Sequence, residues 1–390
     1  MSKIEELIKE KCPNGVIYKK IIDLAEIGTG SSNRKDAIED GLYPFYVRSK
    51  EIFKINKYEY DEEAIIIPGE GGIGEIFHYV NGKYALHQRA YRIHLVDSSL
   101  STKFLYYYMF NFFKKFIMKK AVSATVTSIR KPMIEQFCVP IPPIEVQEEI
   151  VRILDQFGKL EAELEAELEA RKSQYNYYRK LLLDKEENLI SIGNLFEFKN
   201  GINKSKDCFG KGNKIINYVD VYKNNKITDN IVNGLVELND SDLNRYSCRK
   251  GDVFFTRTSE TREEVGIASV LIDDMNESVF SGFLLRARPI TDLLIPEYCA
   301  YCFSSPRVRR DIISFANFTT RATVTGPILS KVKIYVPSKE EQKRIVKILD
   351  KMYTLVNSFI EGIPAEIEAR RKQYEYYRNK LLSFEEVSCE

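Results

Sequence analysis

Two separated stretches of this chain are near copies of two others, and this duplication limits the fold more than any other feature of the sequence. The segment EVQEEIVRILDQF (Glu145 to Phe157) returns as EEQKRIVKILDKM (Glu340 to Met352), an offset of 195 positions in a chain of 390 residues. A second block, EARKSQYNYYRKLLL (Glu169 to Leu183), returns as EARRKQYEYYRNKLL (Glu368 to Leu382) at an offset of 199. Upstream, Ala124-Thr125-Val126-Thr127 echoes in Ala322-Thr323-Val324-Thr325 and Val139-Pro140 in Val336-Pro337. A fainter echo joins DLAEIGTG (Asp23 to Gly30) to NLFEFKNG (Asn194 to Gly201). The chain is therefore two related halves, each a variable segment followed by a repeated joint.

The joints carry helical periodicity. Ile150, Ile153, Leu154, Phe157, Leu160, Leu164 and Leu168 recur at steps of three or four, as do Ile345, Ile348, Leu349 and Met352, so each joint is an amphipathic helix. Pro142-Pro143 stands ahead of the first helix, and Ser338-Lys339-Glu340-Glu341 offers the second a capping box. Gly362 and Pro364 should break or kink the second. Two similar helices bury their stripes most simply as an antiparallel coiled coil, with a globular domain at each end. The variable segments mix α and β. AIIIP (Ala64 to Pro68) and DVFFT (Asp252 to Thr256) read as buried strands, and EIFHYVNGKYALH reads as two strands around an Asn81-Gly82 turn. The expected class is α+β with a pseudo-twofold repeat. Its plan is a globular domain with a short N-terminal helix over 1–141, a spacer helix over 142–186, a second domain over 187–337, and a second spacer helix with a tail over 338–390.

Charge is balanced overall, with 58 basic against 56 acidic residues, but not locally. From Ser101 to Lys131 stand Lys103, Lys114, Lys115, Lys119, Lys120, Arg130 and Lys131 without a single acid. From Phe303 to Lys333 stand Arg307, Arg309, Arg310, Arg321, Lys331 and Lys333 against Asp311 alone. Lys114-Lys115 and Arg309-Arg310 align at the 195 offset, each pair near the end of a predicted helix. Such duplicated acid-poor patches suit DNA phosphates, with Lys114, Lys115, Lys119, Lys120, Arg130, Arg307, Arg309, Arg310 and Arg321 as the contacts. Candidates for reading base edges are Ser32, Asn33, Arg34, Glu70 and Gln88 in the first half, and Asn203, Lys204, Arg257, Thr258 and Arg262 in the second. The longest aromatic run, Phe104 to Phe113, falls short of the ~20 residues a bilayer span needs. The start, MSKIEELIKEK, lacks an apolar signal core. Seven scattered cysteines form no disulfide framework, and the expected location is the cytoplasm, with no membrane partner.

Catalytic motifs fail in context. Gly69-Glu70-Gly71-Gly72-Ile73-Gly74 fits G-x-G-x-x-G, yet a strand pattern comes after it where a dinucleotide site needs a helix, so a tight loop is expected. Cys299-Ala300-Tyr301-Cys302 stands alone as a C-x-x-C, and His78, His87 and His94 have no nucleophile or ligand set beside them. There is no G-x-x-x-x-G-K-S/T loop and no Asn-Pro-Pro or Asp-Pro-Pro. No catalytic residue, metal site or bound cofactor is expected; the chain reads as a binder.

The first joint also contains a tetrapeptide series, LEAE (Leu160 to Glu163), LEAE (Leu164 to Glu167) and LEAR (Leu168 to Arg171). Four helical residues add ~6 Å and rotate the remainder of the helix by ~40° beyond a turn. A base pair rises ~3.4 Å and turns ~35°. Whole tetrapeptides would therefore re-space two DNA-reading heads by one or two base pairs while nearly keeping their phase. The plainer interpretation is a strong helix former, since Leu, Glu and Ala all favour helix.

As a duplicated set, IVRILDQF with ARKSQYNYYRKLL, and IVKILDKM with ARRKQYEYYRNKLL, resemble the specificity subunit of type I restriction-modification systems over essentially the whole chain. The resemblance implies that the variable segments are target recognition domains, each reading one half of a gapped double-stranded DNA site. It implies an antiparallel spacer on which methyltransferase subunits assemble, and restriction subunits through them. That family varies tetrapeptide repeats in its first spacer, where the LEAE series lies here; the second spacer has Gly362-Ile363-Pro364 instead. The chain itself would be non-catalytic, with S-adenosylmethionine, ATP and Mg belonging to the partner subunits. For rod packing and partner docking the shared positions are Ile150, Leu154, Leu160, Leu164, Leu168, Tyr175, Tyr178, Ile345, Leu349, Tyr374 and Tyr377. Competing classes are a structural coiled-coil adaptor, the specificity part of another DNA methylation or defence complex, and a self-sufficient DNA enzyme.

Overall fold

The computed structural model of the chain describes residues 3–120, 128–275, 277–358 and 360–387. Two compact units make up the chain: residues 1–164 with 367–390, and residues 165–366.

The first unit opens with a helix, Lys3–Lys11, and is built on a six-stranded sheet. Its strands run in the order Ala25–Thr29, Ala90–Leu95, Tyr60–Pro68, His78–Leu86, Tyr43–Tyr46, Ile52–Ile55. Alternation along Tyr60–Pro68 sends Ile65 and Ile67 into a core with Phe104, Leu105, Met109 and Phe113 of the Thr102–Lys120 helix. Ala64 and Ile66 go to the other face, with Val80, Tyr84 and Leu86. The AIIIP run is therefore apolar throughout because both faces are covered. The expected Asn81-Gly82 turn does not form. His78–Leu86 is one continuous strand, with Asn81 and Gly82 paired to Glu63 and Glu62, because the nine-residue strand beside it offers partners along its whole length.

The second unit has a five-stranded sheet in the order Phe196–Asn200, Leu284–Pro289, Val253–Thr256, Ala268–Leu271, Lys226–Ile227, with two three-stranded sheets and one two-stranded sheet among its described residues. Val253 and Phe255 pack into one core with Tyr298, Phe303 and Ile312, and Phe254 into another with Phe280 and Leu284. Where the first unit has one long helix, this one has two, Pro296–Cys302 and Pro306–Phe315, the second capped by Ser305. Pro306 cannot continue the preceding helix, so Arg309-Arg310 fall in the N-terminal half of a short helix and not near its end.

The units share a frame. Ile21 N–H donates to Phe137 O, and Ile192 N–H to Val332 O. Strand Ile17–Lys20 pairs antiparallel with Cys138–Ile141, and Leu189–Ser191 with Lys333–Tyr335. The faint echo is structural: Asp23 and Asn194 each end a 3-10 turn that leads into a strand and then Gly30 or Gly201. A Cβ on either glycine would collide with a facing carbonyl, Leu86 O or Ser281 O. Of the sharper echoes, residues 124–127 lie outside the described residues; after them, Ile129 N–H donates to Gly69 O as Val324 N–H does to Arg257 O, at the 195 offset. Pro337 occupies the place of Pro142, not of Pro140, since the side chains of Gln342 and Gln147 donate to their carbonyls.

The first spacer helix runs over Ile144–Leu183, directly after Pro143. The second spacer is two helices, Lys339–Asn357 and Ile363–Leu381, interrupted where Gly362 and Pro364 stand. Only half of the expected capping box forms: Ser338 Oγ accepts from Glu341 N–H at 3.2 Å, while the Glu341 carboxylate turns to Arg344 at 2.6 Å. Pairing is antiparallel in the first unit, where Phe157 meets Tyr374 and Tyr377 while Glu161 meets Arg371. In the second unit Tyr175 packs on Tyr353, and Leu168, Leu182 and Leu183 share a core with Ile345, Leu349 and Met352. The predicted stripe thins along the tetrapeptides, and Leu160 is 47% exposed. A strict four-residue step drifts ~40° around the helix each time, so three successive leucines cannot hold one seam.

Candidate nucleic-acid interface

In the first unit, four loops at one end of the sheet come together. Ser32 pairs with His87 across a parallel bridge, and its hydroxyl donates to Glu59. Gln88 Nε2 donates to Asn33 Oδ1 at 2.7 Å, while Asn33 caps the turn that carries Arg34. Glu70 accepts from Arg48 at 2.8 Å and from Arg89 at 3.0 Å. Arg89 first, then Arg48, holds the Glu70 carboxyl below its ordinary range. Burial, helped by the same two guanidinium groups, pushes His87 down, so its imidazole is neutral and its Nδ1 accepts the Arg89 N–H. Arg34, Arg48, Ser49, Glu70 and His87 line an open cleft of about 270 Å³. All five base-edge candidates of this half thus converge. Ser32, fully buried, organises the loop from within. No sequence pattern marks Arg48 and Arg89, which join the cluster only through the sheet's crossovers.

The glycine motif is a loop, with Gly71, Gly72 and Gly74 at positive φ. Gly74 (φ +66°) lies so close to the Thr102–Lys120 helix that a Cβ would sit 2.9 Å from Lys114 Cα. Its counterpart in the second unit is Gly266 (φ +64°), tight against Ile312 and accepting from Arg309 at 2.6 Å. Both glycines let the loop after a central strand seat on a helix beside a basic residue.

In the second unit the corresponding loops keep an asparagine, Asn203, in the place of Asn33 and differ at Glu70, Gln88 and Arg89. Arg257 donates to Gly282 O at 3.3 Å, and Asn203 lies against Gly282. Thr258 pairs with Thr323 in a three-stranded ribbon whose outer strand carries Phe318, and Arg262 stacks over that ring at 4.7 Å. Lys204 turns aside to Asp242 at 2.7 Å. Phe283, beside Arg257, is 66% exposed; no pattern in the sequence marks it.

The phosphate candidates divide into two groups. Lys115, Lys119, Arg130 and Arg310 are exposed, with no ion-pair partner among the described residues; Arg321 is exposed and 3.7 Å from Glu260. Lys114 is held by Glu75. Of Lys120 only its place at the helix end is described. Arg307 and Arg309 correct the expectation. Arg307 donates to Lys333 O, and Arg309 donates to both Gly266 O and Glu263 O, its pKa pushed down to about 10 by burial. The Arg309 guanidinium holds the loop at Glu263 and Gly266, while Arg307 gives one hydrogen bond and keeps Nε and Nη2 buried without a partner among the described residues. Lys103, counted in the basic stretch, is likewise an internal partner of Asp155.

The shared spacer positions also divide. Ile150, Leu154, Ile345 and Leu349 are fully buried against their own heads and offer nothing to a partner. Tyr178 and Tyr377 are more than a third exposed, and Leu164 is half-buried. Each unit has a cleft beside its repeated block. Lys172, Tyr175, Asn176 and Arg179 line one of about 500 Å³; Arg371, Tyr374, Glu375 and Arg378 line one of about 270 Å³. These four positions correspond one to one at the 199 offset, and in both clefts the arginine stacks on the tyrosine. Cys299 and Cys302 are buried in a core helix, and no cluster of metal-ligating side chains occurs among the described residues. No described helix is long and apolar enough to cross a membrane.

Comparison with known proteins agrees with this geometry. The model of the type I restriction-modification DNA specificity domain matches residues 13–170 and again 185–369. Over 309 residues the chain is 31% identical to the specificity subunit of the type I restriction enzyme EcoR124I/EcoR124II of Escherichia coli, covering 74% of this chain and 72% of that one. Over 366 residues it is 28% identical to a putative type I restriction enzyme specificity subunit of Haemophilus influenzae, covering 88% and 89%. Its fold matches the crystal structure of a type I restriction-modification S subunit from M. genitalium with a TM-score of 0.55, over 94% of this chain and 96% of that one at 15% identity. With both halves matched and the whole fold shared, the chain belongs to the type I restriction-modification DNA specificity family.

Proposed function

We propose that the two heads of this specificity subunit read the two halves of a gapped double-stranded DNA site, one head to each half. The observation that carries this reading is a frame that is duplicated bearing loops that are not. The same hydrogen bonds seat both frames, and Asn33 and Asn203 hold the same place in them, yet Arg48, Glu70, Gln88 and Arg89 at one have no like residues at the equivalent positions of the other, where Arg257, Thr258 and Arg262 stand nearby. Two different half-sites need that arrangement. Arginine suits guanine, asparagine and glutamine suit adenine, and a carboxylate such as Glu70 accepts from cytosine. Lys115, Lys119, Arg130, Arg310 and Arg321 then contact phosphates and set register without selecting sequence.

The chain works without chemistry of its own. Methyltransferase subunits dock beside the spacer at the repeated blocks, which present the paired clefts and the exposed Tyr178 and Tyr377, and restriction subunits join through them. S-adenosylmethionine, ATP and Mg belong to those partners. Exchanging residues 16–140 for those of a relative tests the assignment: the methylated motif should change in one half and keep the other half and the gap. A motif altered in both halves, or in neither, would refute it.

A further inference from the structure

Lys199 and Arg286 face each other directly across the antiparallel pair Phe196–Asn200 and Leu284–Pro289, so both side chains lie on one face of the sheet. Like charges so opposed destabilise a sheet, and the two carboxylates nearby, Asp252 and Glu197, are shared with a further arginine, Arg288. Asp252 is taken up by Arg288, at 2.8 and 2.7 Å, and by the backbone of Arg249. The exposed Glu197 stands opposite Arg288 in register. A third cation joins instead: Arg245 and Lys199 both sit over the ring of Tyr246, at 5.4 and 5.7 Å. Arg286 is 4% exposed, stacks on Phe280 and gives one bond to Ser247 O, yet its Nε is buried without a partner among the described residues. Burial, then Arg286 and Arg245, pushes the Lys199 ammonium below its ordinary pKa. The fold thus holds three cations around two neighbouring rings, Tyr246 and Phe280, at a cost to its own stability, which is the mark of a place made for an anion.

We propose that Lys199, Arg245 and Arg286 form a binding site for a backbone phosphate of the DNA half-site read by the second head; the site rests on the function proposed above. Its position supplies the ligand. Strand Phe196–Asn200 runs on into Asn203 and Lys204, and Lys204 is tied to Asp242, one helical turn before Arg245 on the Asp240–Tyr246 helix. The cation cluster and a candidate base-reading loop are thereby held on the same two elements. A phosphodiester there would pair with Lys199 and Arg245, take charge support from Arg286 beneath them, and relieve the opposed charges while registering the loop against the bases.

The test uses the complete chain assembled with its methyltransferase subunits, with Lys199→Gln, Arg245→Gln and the double variant. Binding to a duplex carrying the target and to an unrelated duplex is measured across salt concentration. Neutralising the site should weaken both by the same factor and flatten the slope of log K against log salt by about 0.9. Lys199→Gln should also raise the melting temperature, because it removes one of two opposed charges. Variants with wild-type affinity and slope, in a complex that still prefers its target, would overturn the phosphate site alone; a wild-type complex with no target preference would overturn the reading of the heads and this site with it. Inorganic phosphate supplies the remaining arm. If it raises the melting temperature of the wild type but not of the double variant, and the DNA slope is the same in both, the site takes free anions and the DNA assignment is wrong.

Discussion

Asp155 accepts a hydrogen bond from the Tyr107 hydroxyl at 2.6 Å, which fastens the head's long helix to the spacer helix of the first unit. Lys103 donates to the same carboxylate. At the 195 offset, Asp350 accepts from Tyr301 and from Lys226, although here the lysine comes from a strand instead of a helix. The aspartate of the repeated ILD motif is therefore an anchor point, which explains why it stands in both blocks. Tyr107→Phe should cost about 1–2 kcal/mol and Asp155→Asn somewhat more, since it also leaves Lys103 unpaired. A double-mutant cycle should show coupling of about 1 kcal/mol in thermal melts, and additive losses would contradict the anchor.

Gln147 has a parallel duty deeper in the structure. Fully buried, it donates to Ser99 O and Pro142 O and accepts from Ser101 N–H; Gln342 does the same with Leu293 O, Pro337 O and Ile295 N–H. Gln147→Ala strands three backbone groups away from water and should destabilise the first unit by about 2–4 kcal/mol. Gln147→Glu should fail as well, because a carboxylate cannot donate to two carbonyls. Urea denaturation checks both, and a loss under about 0.5 kcal/mol would count against this role.

The tetrapeptides offer a geometric prediction. Removing residues 164–167 shortens the first spacer helix by ~6 Å and turns it back by ~40°. The methylated site should keep both half-sequences and lose one or two base pairs of gap. An unchanged gap would mean that the helix length does not set the spacing.

A histidine sets part of the pH dependence. Burial holds His78 below its ordinary pKa, with its Nε2 donating to Ser49 O at 3.1 Å. The unfolded chain takes up that proton at a higher pH than the folded one. Stability from this site is therefore complete above the ordinary value of 6.5 and falls as pH drops from there towards the lower folded pKa. Melting temperatures between about pH 7.5 and 5.5 should fall more steeply for the wild type than for His78→Gln, which keeps a donor; parallel curves would show that His78 does not titrate in this range.

The two-part architecture is legible in the sequence because it rests on periodicity and repetition, which need no tertiary context. Ile150, Leu154, Ile345 and Leu349 announce their helices through spacing alone. Their packing partners are not legible: these residues face the heads, and only the tertiary structure shows it. The Asn81-Gly82 pair fails as a turn signal because a long neighbouring strand overrides a local preference. Arg307 and Arg309 resemble phosphate contacts because charge can be counted from sequence, whereas the carbonyls they bind cannot. Arg48, Arg89 and Phe283 stay hidden for the opposite reason, since they reach the interface through strand crossovers that leave no local pattern.

Recognition by two heads is tested most directly by single-molecule mapping of methylated adenines in DNA from cells expressing this chain with its methyltransferase subunit, set against cells lacking only this chain. A gapped two-part motif should be present in the first and absent from the second. Methylation that is identical with and without the chain would contradict its role as the reader and assign recognition to another subunit.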